Sequence, residues 1–436
     1  MLKALTLTTT LACLLGLGLP ARAEGLVEVY RLAEQNDATL RAANQARLAT
    51  REALPQARAQ LLPNLSASAS LTRDWLDYPN NSLRDGNYTS KNYTLSLSQP
   101  LFDRARFVTS DQAERVAQQA DVDYANSQQE LMLRVSEAYF AVLRAQAELR
   151  LAEADLAAAE KRLEQTEKRF EVGLIAITDL ADARSARDQA TARRITAEAG
   201  LSDAYEALRV LTEQEVKGLS DVREALRPVH PEPAEPRAWV SFAEKQNLGL
   251  QSAEVGIEIA RHEIEKQRAG HYPTLNLNAS YGYQDTQFAG QPLENYDARV
   301  GVQLNLPLYT GGGIDSRTRE ATYRFQQAQD NHEAARRDAV RTTRDAYRAV
   351  IARIGEIEAF TQGLKSAEIQ LAANEAGYEV GTRTIVDVIT AQSQLTQARR
   401  NLFNARYDYL LATLRLKRAA GTLQLADLEA LQAELR

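Results

Sequence analysis

The chain repeats itself, and this repeat is the strongest constraint on its fold. The stretch FEVGLIAITDL (Phe170–Leu180) returns as YEVGTRTIVDV (Tyr378–Val388). Upstream, LLPNLSASAS pairs with HYPTLNLNAS and LSQPLFD pairs with LNLPLYT, always about 207 to 211 residues apart. We therefore predict an internal two-fold tandem repeat. Each half contains a helix, two short alternating segments, a very long helix, a break at the quoted stretch and a return helix.

Five regions are predicted along the chain: a signal peptide (1–23), a first repeat (24–226), a proline-rich connector (227–238), a second repeat (239–423) and a C-terminal tail (424–436). Lys3 precedes a largely apolar run, and Ala21-Arg22-Ala23 forms a small-x-small cleavage site, which together indicate export. Lipidation at Cys13 is the alternative for the first region, although Thr10 stands where a lipoprotein signal usually has leucine.

The composition narrows the class of protein. A formal net charge of -6 over 436 residues, without a basic stripe, argues against nucleic acid as the main partner. Cys13 is the only cysteine, so the mature chain has neither disulfides nor thiolate metal sites. After the signal there is no apolar run of about 18 residues, so no transmembrane helix is predicted. An exported protein of this kind is either soluble or a β-barrel.

A heptad pattern predicts very long helices. The first runs from about Arg104 to Phe170, which corresponds to roughly 100 Å, too long for a compact globule. Large apolar residues recur every seven positions beside a parallel series of alanines, which is typical of closely packed coiled coils. The large series are Val135, Val142, Leu149, Leu156, Leu163 and Phe170 in the first half, and Val350, Ile357, Leu364, Leu371 and Tyr378 in the second.

Four short segments alternate with a period of two, which predicts β-strands. They lie around Leu65–Leu71, Tyr93–Ser98, Leu275–Gln284 and Val300–Leu308, and polar loops are expected at Asp77–Lys91 and Asp285–Asp297. One face is apolar, and the other is almost wholly Ser, Thr, Asn, Gln and Gly. With aromatic residues near the strand ends, this pattern favours an outer-membrane barrel. The half-buried sheet of a soluble protein is the alternative.

Four strands are too few for a closed barrel, since about eight is the usual minimum. Open sheet edges are not tolerated in lipid, because their backbone groups would lack hydrogen-bond partners. If the strands span a membrane, several copies of the chain must therefore share one barrel.

Motifs for catalysis or cofactors are weak. Gly311-Gly312-Gly313 follows a strand, but no Gly-Lys-Ser/Thr sequence follows it, so a strand-to-helix hinge is favoured over a phosphate loop. The four histidines (His230, His262, His271 and His332) lack metal-ligand spacing. We therefore predict no enzyme activity, no cofactor and no metal site.

The repeated stretches carry a family resemblance. YEVGTRTIVDV with the downstream NARYDYLLATLRLKRAAGTL (Asn404–Leu423), together with RFEVGLIAITDL, resembles the outer membrane factor family, the TolC-like channels of efflux pumps and type I secretion. The resemblance implies a mostly α-helical protein with a transmembrane β part. A homotrimer would share one 12-stranded barrel, four strands per protomer, in outer-membrane lipid, and a coiled-coil α-barrel would cross the periplasm. A periplasmic adaptor and an inner-membrane transporter would be the partners of this passive duct.

The resemblance also implies a gate at the two breaks, where the helices reverse at the periplasmic end. Gly173 and Gly381 would allow the reversal. Matching motif positions assign Asp179 with Tyr378, and Thr178 with Arg383, as closed-state latches. The alternative is that Asp179 only caps the start of its helix.

Asp387 matches a pore-constriction aspartate in the same family. Three copies would concentrate negative potential at a narrow mouth and attract cations, including blocking polyvalent ones. The family has a second aspartate one helical turn further on, where this chain has Thr390, so a weaker cation block is expected. An ordinary solvated helix aspartate is the alternative for Asp387.

A different function class also fits the long helices and the export signal. A periplasmic coiled-coil adaptor would share both features, but it is expected to carry a lipoyl-like β-domain rather than two β-hairpins within a tandem repeat.

Overall fold

The computed structural model describes residues 25–76, 86–216, 218–221, 226–288, 291–433 and 435. Its helices and strands follow the predicted order twice. The predicted signal peptide, residues 1–23, lies outside the described residues. The first half contains α1 (Leu26–Asn36), α2 (Ala38–Arg51), α3 (Ala53–Ala59), β1 (Asn64–Leu76), β2 (Gly86–Phe102), α4 (Arg104–Glu171) and α5 (Ile177–Thr212). The second contains α6 (Pro236–Gln246), α7 (Leu248–Arg268), β3 (Thr274–Phe288), β4 (Gln291–Asn305), α8 (Gly313–Glu379), α9 (Ile385–Ala419) and α10 (Leu425–Gln432).

The four strands form one antiparallel sheet in the order β1-β2-β3-β4. The register aligns the apolar positions of all four strands on one face, as in the row Leu65, Leu97, Ala279 and Val300. Polar positions line the other face. Within the described sheet, β1 and β4 each have only one neighbour, so both edges present unpaired backbone groups.

The apolar face ends in two successive rows. Tyr93, Tyr283 and Tyr296 lie side by side, with ring centroids 6.2 Å and 4.8 Å apart. The next row on the same face contains Lys91 and Asp285, which form an ion pair of 3.4 Å. An aromatic row followed by charges is typical of the edge of a membrane-facing band.

The strands are longer than the alternation predicted, and this corrects the predicted loops. They span 13, 17, 15 and 15 residues. Much of the polar stretch at Asp285–Asp297 is strand, because β3 and β4 stay in register up to Phe288 and Gln291. In the stretch Asp77–Lys91, residues 77–85 lie outside the described part and the remainder belongs to β2. Polar sequence at a strand end resembles a loop, although here it marks where the apolar band of the sheet ends.

The long helices confirm the coiled-coil prediction. α4 has 68 residues and α8 has 67, each about 100 Å long. α5 packs on α4 and α9 packs on α8, and α4 also packs on α9, which joins the two hairpins. The seam residues Val135 and Val142 are fully buried, whereas Leu149 and Leu156, nearer the turns, are only partly covered within one protomer.

Polar side chains tie α4 to α9 along that contact. Arg400 donates to both carboxylate oxygens of Glu148, at 2.8 Å and 2.5 Å. One heptad further, the buried Asp155 carboxylate accepts from Gln392 at 3.0 Å and from Thr396 at 2.9 Å. Because buried carboxylates need such partners, these bonds fix the register between the hairpins.

The segments between the repeats and after the second repeat are held against the long helices. In the proline-rich connector, the Tyr347 hydroxyl donates to the Ala234 carbonyl and the Tyr409 hydroxyl binds Val229. The predicted tail contains α10, and Gln432 on this helix accepts a hydrogen bond from the Val27 N–H at 2.7 Å. The division into five regions otherwise stays a prediction.

In the part of the chain that the structure describes, none of the helices combines the length and the apolar character needed to cross a membrane.

Candidate functional site

Both breaks fold into the same turn. In each, the glycine that follows the helix has a positive φ, 74° for Gly173 and 80° for Gly381. The Gly173 N–H donates to Phe170 and the Leu174 N–H donates to Arg169, both at 2.9 Å. The matching bonds at the second turn run from Gly381 and Thr382, at 3.2 Å and 2.8 Å. This pair of bonds defines a Schellman motif, which ends a helix where glycine adopts the left-handed conformation.

The two return helices differ in how their first turns are capped. The residues at the matching cap positions, Ala176 and Thr384, explain this difference. α5 begins after Ala176, which cannot cap it, whereas α9 begins after Thr384. The Thr384 hydroxyl accepts the Asp387 N–H at 3.2 Å, and Asp387 Oδ2 accepts the Thr384 N–H at 2.9 Å. This is a capping box, which satisfies two otherwise unpaired backbone N–H groups. The second turn is therefore fixed more firmly than the first.

Asp387 is thus both a capping residue and a surface charge. Hydrogen bonds from the backbone and the side chain of Thr384 hold the pKa of the Asp387 carboxyl below its usual range. The carboxylate consequently stays ionised at every physiological pH. Thr390 lies one helical turn further on and is exposed, without a charge.

The alternative that Asp179 caps the start of its helix is wrong. Asp179 is the third residue of α5, the cap position is Ala176, and no side chain caps this helix start. Its carboxylate is partly exposed and Thr178 beside it is exposed.

The predicted latch pairs are not formed within the described protomer. No hydrogen bond or ion pair joins Tyr378 to Asp179, or Arg383 to Thr178, among the described residues. Instead, the Arg169 guanidinium lies over the Tyr378 ring, 4.9 Å from its centroid. Arg383 folds back across the end of α8, where a Cβ at Gly377 would come within 2.6 Å of it.

A second contact between the hairpins lies one heptad above Arg169. Arg162 on α4 is 3.8 Å from Glu375 on α8, and only 15% of its side chain is exposed. Burial lowers the pKa of the Arg162 guanidinium, and the charges of Glu375 and Asp155 oppose this shift. The apolar heptads did not predict this pair. A pattern in the sequence that could have indicated it is the polar heptad Asp155, Arg162 and Arg169, which runs along α4 beside the apolar seam.

The turns also expose large apolar side chains. Val172 and Leu174 at the first turn are 68% and 73% exposed, and Val380 at the second is 75% exposed. Such residues on a helix end favour contact with another protein.

The remaining motifs show structural roles. Gly311 and Gly312, both with positive φ, lead from β4 into α8. His271 pairs with Asp315 at 3.2 Å near the same junction. Within the described ranges, no group of three or more His, Cys, Asp or Glu side chains has the arrangement of a metal site.

Comparisons with known proteins identify the family. The chain matches the outer membrane efflux protein family over residues 29–213 and 239–422, one match for each repeat. It is 40% identical to outer membrane protein TolC of Vibrio cholerae over 422 residues, covering 95% of this chain and 94% of that protein. It is 32% identical to the alkaline protease secretion protein AprF of Pseudomonas aeruginosa, covering 95% and 88% of the two chains.

The fold agrees with a solved channel structure. The CmeC outer membrane channel of Campylobacter jejuni superimposes with a TM-score of 0.79, covering 94% of this chain and 89% of that chain at 18% identity. The adaptor alternative is therefore wrong, because the family match and the fold match both extend over nearly the whole chain. The chain belongs to the outer membrane efflux protein family, whose TolC-like members are exit ducts of the outer membrane for efflux and type I secretion.

Proposed function

We propose that three copies of this chain form one passive channel with a shared 12-stranded barrel. The observation that carries this proposal is the open four-stranded sheet. Its lipid-facing side is continuously apolar, yet both of its edges are unpaired within the protomer. Pairing β4 of one copy with β1 of the next satisfies every edge and closes the barrel.

The two turns form the gate at the opposite end of the channel. In the closed trimer, Asp179 binds Tyr378 and Thr178 binds Arg383, which holds the second hairpin inward. The contact of Arg169 with Tyr378 supports this arrangement, because it already places Tyr378 between the two hairpins.

Three copies of Asp387 ring the constriction. Support comes from the capping box, which fixes the position of the carboxylate at the start of α9. Since both Thr384 groups bind Oδ2, the other oxygen, Oδ1, is left to face cations.

An inner-membrane transporter and a periplasmic adaptor open the gate. The adaptor contacts the Val172, Leu174 and Val380 side chains. These apolar side chains are exposed in the protomer, and the adaptor would cover them. The duct performs no catalysis, and its partners select the exported substrates. It serves efflux, protein secretion or both.

Reconstitution into planar lipid bilayers tests this proposal. We expect small, discrete conductance steps from the wild-type chain, and larger steps when the gate is weakened. Protein that extracts into buffer without detergent as a monomer, and that gives no conductance, would overturn it.

A further inference from the structure

The protomer has two flanks that its own long helices do not cover. Toward the turns, α5 packs on α4, α4 packs on α9, and α9 packs on α8, while α5 also contacts α9. The residues that matter here lie at the middle of the long helices, where α6 and α7 also pack on α8 and α1 packs on α5. The remaining sides of α5 and α8 face away from the protomer. In a ring of identical copies, α8 of one protomer faces α5 of the next.

The free flank of α8 carries a cationic stripe. Arg337, Arg341, Arg344 and Arg348 recur at i, i+4, i+7 and i+11, which places them on one helix face. All four are exposed. The buried face of the same segment contains Ala339, Thr343, Tyr347 and Val350, which turn toward the protomer's own core.

Acidic neighbours only partly neutralise this stripe. Arg337 pairs with Glu333 at 2.8 Å, Arg341 pairs with Asp338 at 2.6 Å, and Arg348 pairs with Asp345. Arg344 has no acidic partner among the described residues. These pairs are exposed and therefore weak, so the arginines are available to further carboxylates.

The free flank of α5 is partly complementary. The exposed face of the helix contains Ile195, Glu206, Arg209 and Val210, opposite the buried Ala190, Ala197, Leu208 and Thr212. Glu213 follows as the C-cap residue, with a left-handed backbone. Ile195 and Val210 are 55% and 74% exposed. A helix face with apolar residues between carboxylates is typical of a surface that another helix covers.

Side-chain contacts show which residues of α5 and α8 lie at the same level along the axis of the helices. Arg144 on α4 and Arg353 on α8 both bind Asp408, at 2.7 Å and 3.9 Å, so these two positions are level. Gln146 donates to the Tyr205 hydroxyl at 2.7 Å and Arg184 pairs with Glu167 at 3.3 Å, so α5 runs antiparallel to α4 in one register. Extending both registers at about 1.5 Å per residue brings Glu213 to the level of residues 344–348 of α8.

We propose that Glu213 of one protomer pairs with Arg344 and Arg348 of the next, with Glu206 one heptad along the same contact. This inference rests on the proposed trimer and names the seam that holds its periplasmic part. Glu213 has Arg41 at 3.7 Å, and Glu206 accepts from Arg209 at 2.8 Å. Both of these pairs are exposed, so they leave the carboxylates able to bind a second cation.

The charges at this seam mainly determine which helix packs against α8, and they add little to the stability of the trimer. Covering the stripe with a neighbouring helix lowers the local dielectric and strengthens each pair. Two α8 stripes would repel each other. The charges therefore favour contact between α5 of one protomer and α8 of the next, which leads to a closed ring.

Cysteine cross-linking tests the geometry, since Cys13 in the predicted signal is the only cysteine of the chain. The double variant Glu213→Cys/Arg348→Cys is oxidised in membranes and run on a denaturing, non-reducing gel. We expect covalent trimers that reductant removes, and monomers from each single variant. The matched control is Glu213→Cys/Lys365→Cys, because Lys365 lies on another face of α8 and well below the seam. Equal cross-linking of the control pair, or none of the test pair, would overturn the inference.

A charge swap tests the energetics without requiring disulfide geometry. Arg348→Glu is expected to lower the denaturant concentration at which the trimer separates, and adding Glu213→Arg should restore the wild-type value. Lys365→Glu should leave the trimer unchanged. A double variant no better than Arg348→Glu would contradict the pairing. If the wild-type chain conducts as a trimer but the Glu213→Cys/Arg348→Cys variant does not cross-link, only this seam is contradicted. A monomeric wild-type chain would contradict the proposed function.

Discussion

Arg169 stacks on Tyr378, with its guanidinium carbon 4.9 Å from the ring centroid. The contact joins α4 of the first hairpin to α8 of the second, next to both turns. It leaves the Tyr378 hydroxyl free of hydrogen bonds among the described residues. The ring contact with Arg169 and the proposed bond from the Tyr378 hydroxyl to Asp179 can therefore be tested separately.

This separation predicts different effects for two gate variants. Tyr378→Phe keeps the ring contact and removes only the hydroxyl, whereas Arg169→Gln removes the cation and keeps the hydroxyl. A cation–π contact near the surface contributes about 0.5–1 kcal/mol, so Arg169→Gln should weaken closure moderately. Tyr378→Phe should weaken closure only through the loss of the bond that its hydroxyl makes in the proposed latch. We expect Tyr378→Phe with Arg383→Ser to raise single-channel conductance more than either single change. Unchanged conductance in that double variant would count against the latch pairs.

Asp387→Ala is expected to weaken block by polyvalent cations, because it removes one negative charge from each protomer at the proposed constriction. The same change also removes part of the capping box, so it needs a matched control. Thr384→Ala loses the cap, at a cost of about 0.5–2 kcal/mol, and keeps the charge. Block should persist in Thr384→Ala. Loss of block in both variants would point to a disturbed turn instead of a charged ring.

Thr390→Asp is expected to strengthen the block. Thr390 is exposed and lies one turn after Asp387 on the same side of α9, so a carboxylate there adds a second ring. The half-blocking cation concentration in planar bilayers measures the effect. Thr390→Asn is the control of similar size without charge, and an equal response of both variants would exclude an electrostatic origin.

The pH dependence of block follows from the lowered pKa of Asp387. Since an ordinary aspartate has a pKa of about 4, the carboxylate is already ionised above that value in both folded and unfolded chains. Its capping contribution to stability is then complete, and it is lost as the pH falls through the lower folded value. Block should therefore stay constant from about pH 5 to 8 and disappear only in stronger acid. A midpoint near neutral pH would contradict this assignment.

Gly381→Ala should destabilise the second turn by roughly 1 kcal/mol. A Cβ at Gly381 meets no atom within 4 Å, so the cost comes from the positive φ and not from a clash. Gly381→Asn is expected to cost less, because asparagine tolerates this conformation better. Thermal unfolding of the purified protein measures both. Equal stability of the wild type and Gly381→Ala would show that the turn relaxes freely.

The sequence predicted the long helices well, because a heptad repeat specifies a helix and its packing face over many turns. The break positions were equally clear, since Gly173 and Gly381 interrupt the same pattern at matching points. The open four-stranded sheet followed from the alternation of apolar and polar residues.

Contacts between the hairpins were not predictable in the same way. Arg162 with Glu375, and Arg169 with Tyr378, depend on how far one helix slides along another, and that offset is not encoded locally. The C-terminal helix α10 was missed because it is short and its cap is a glutamine, Gln424, in place of a usual capping residue. The latch pairs of Asp179 and Arg383 remain predictions about the closed trimer.

Native mass spectrometry of the detergent-extracted protein tests the shared barrel most directly. The full chain has a mass of 48.3 kDa, and we expect one dominant species at three times the mass of the mature chain. That species should dissociate only under denaturing conditions, because separation would expose three pairs of unpaired strand edges. A dominant monomer that keeps its strands in detergent would contradict a barrel shared by three copies.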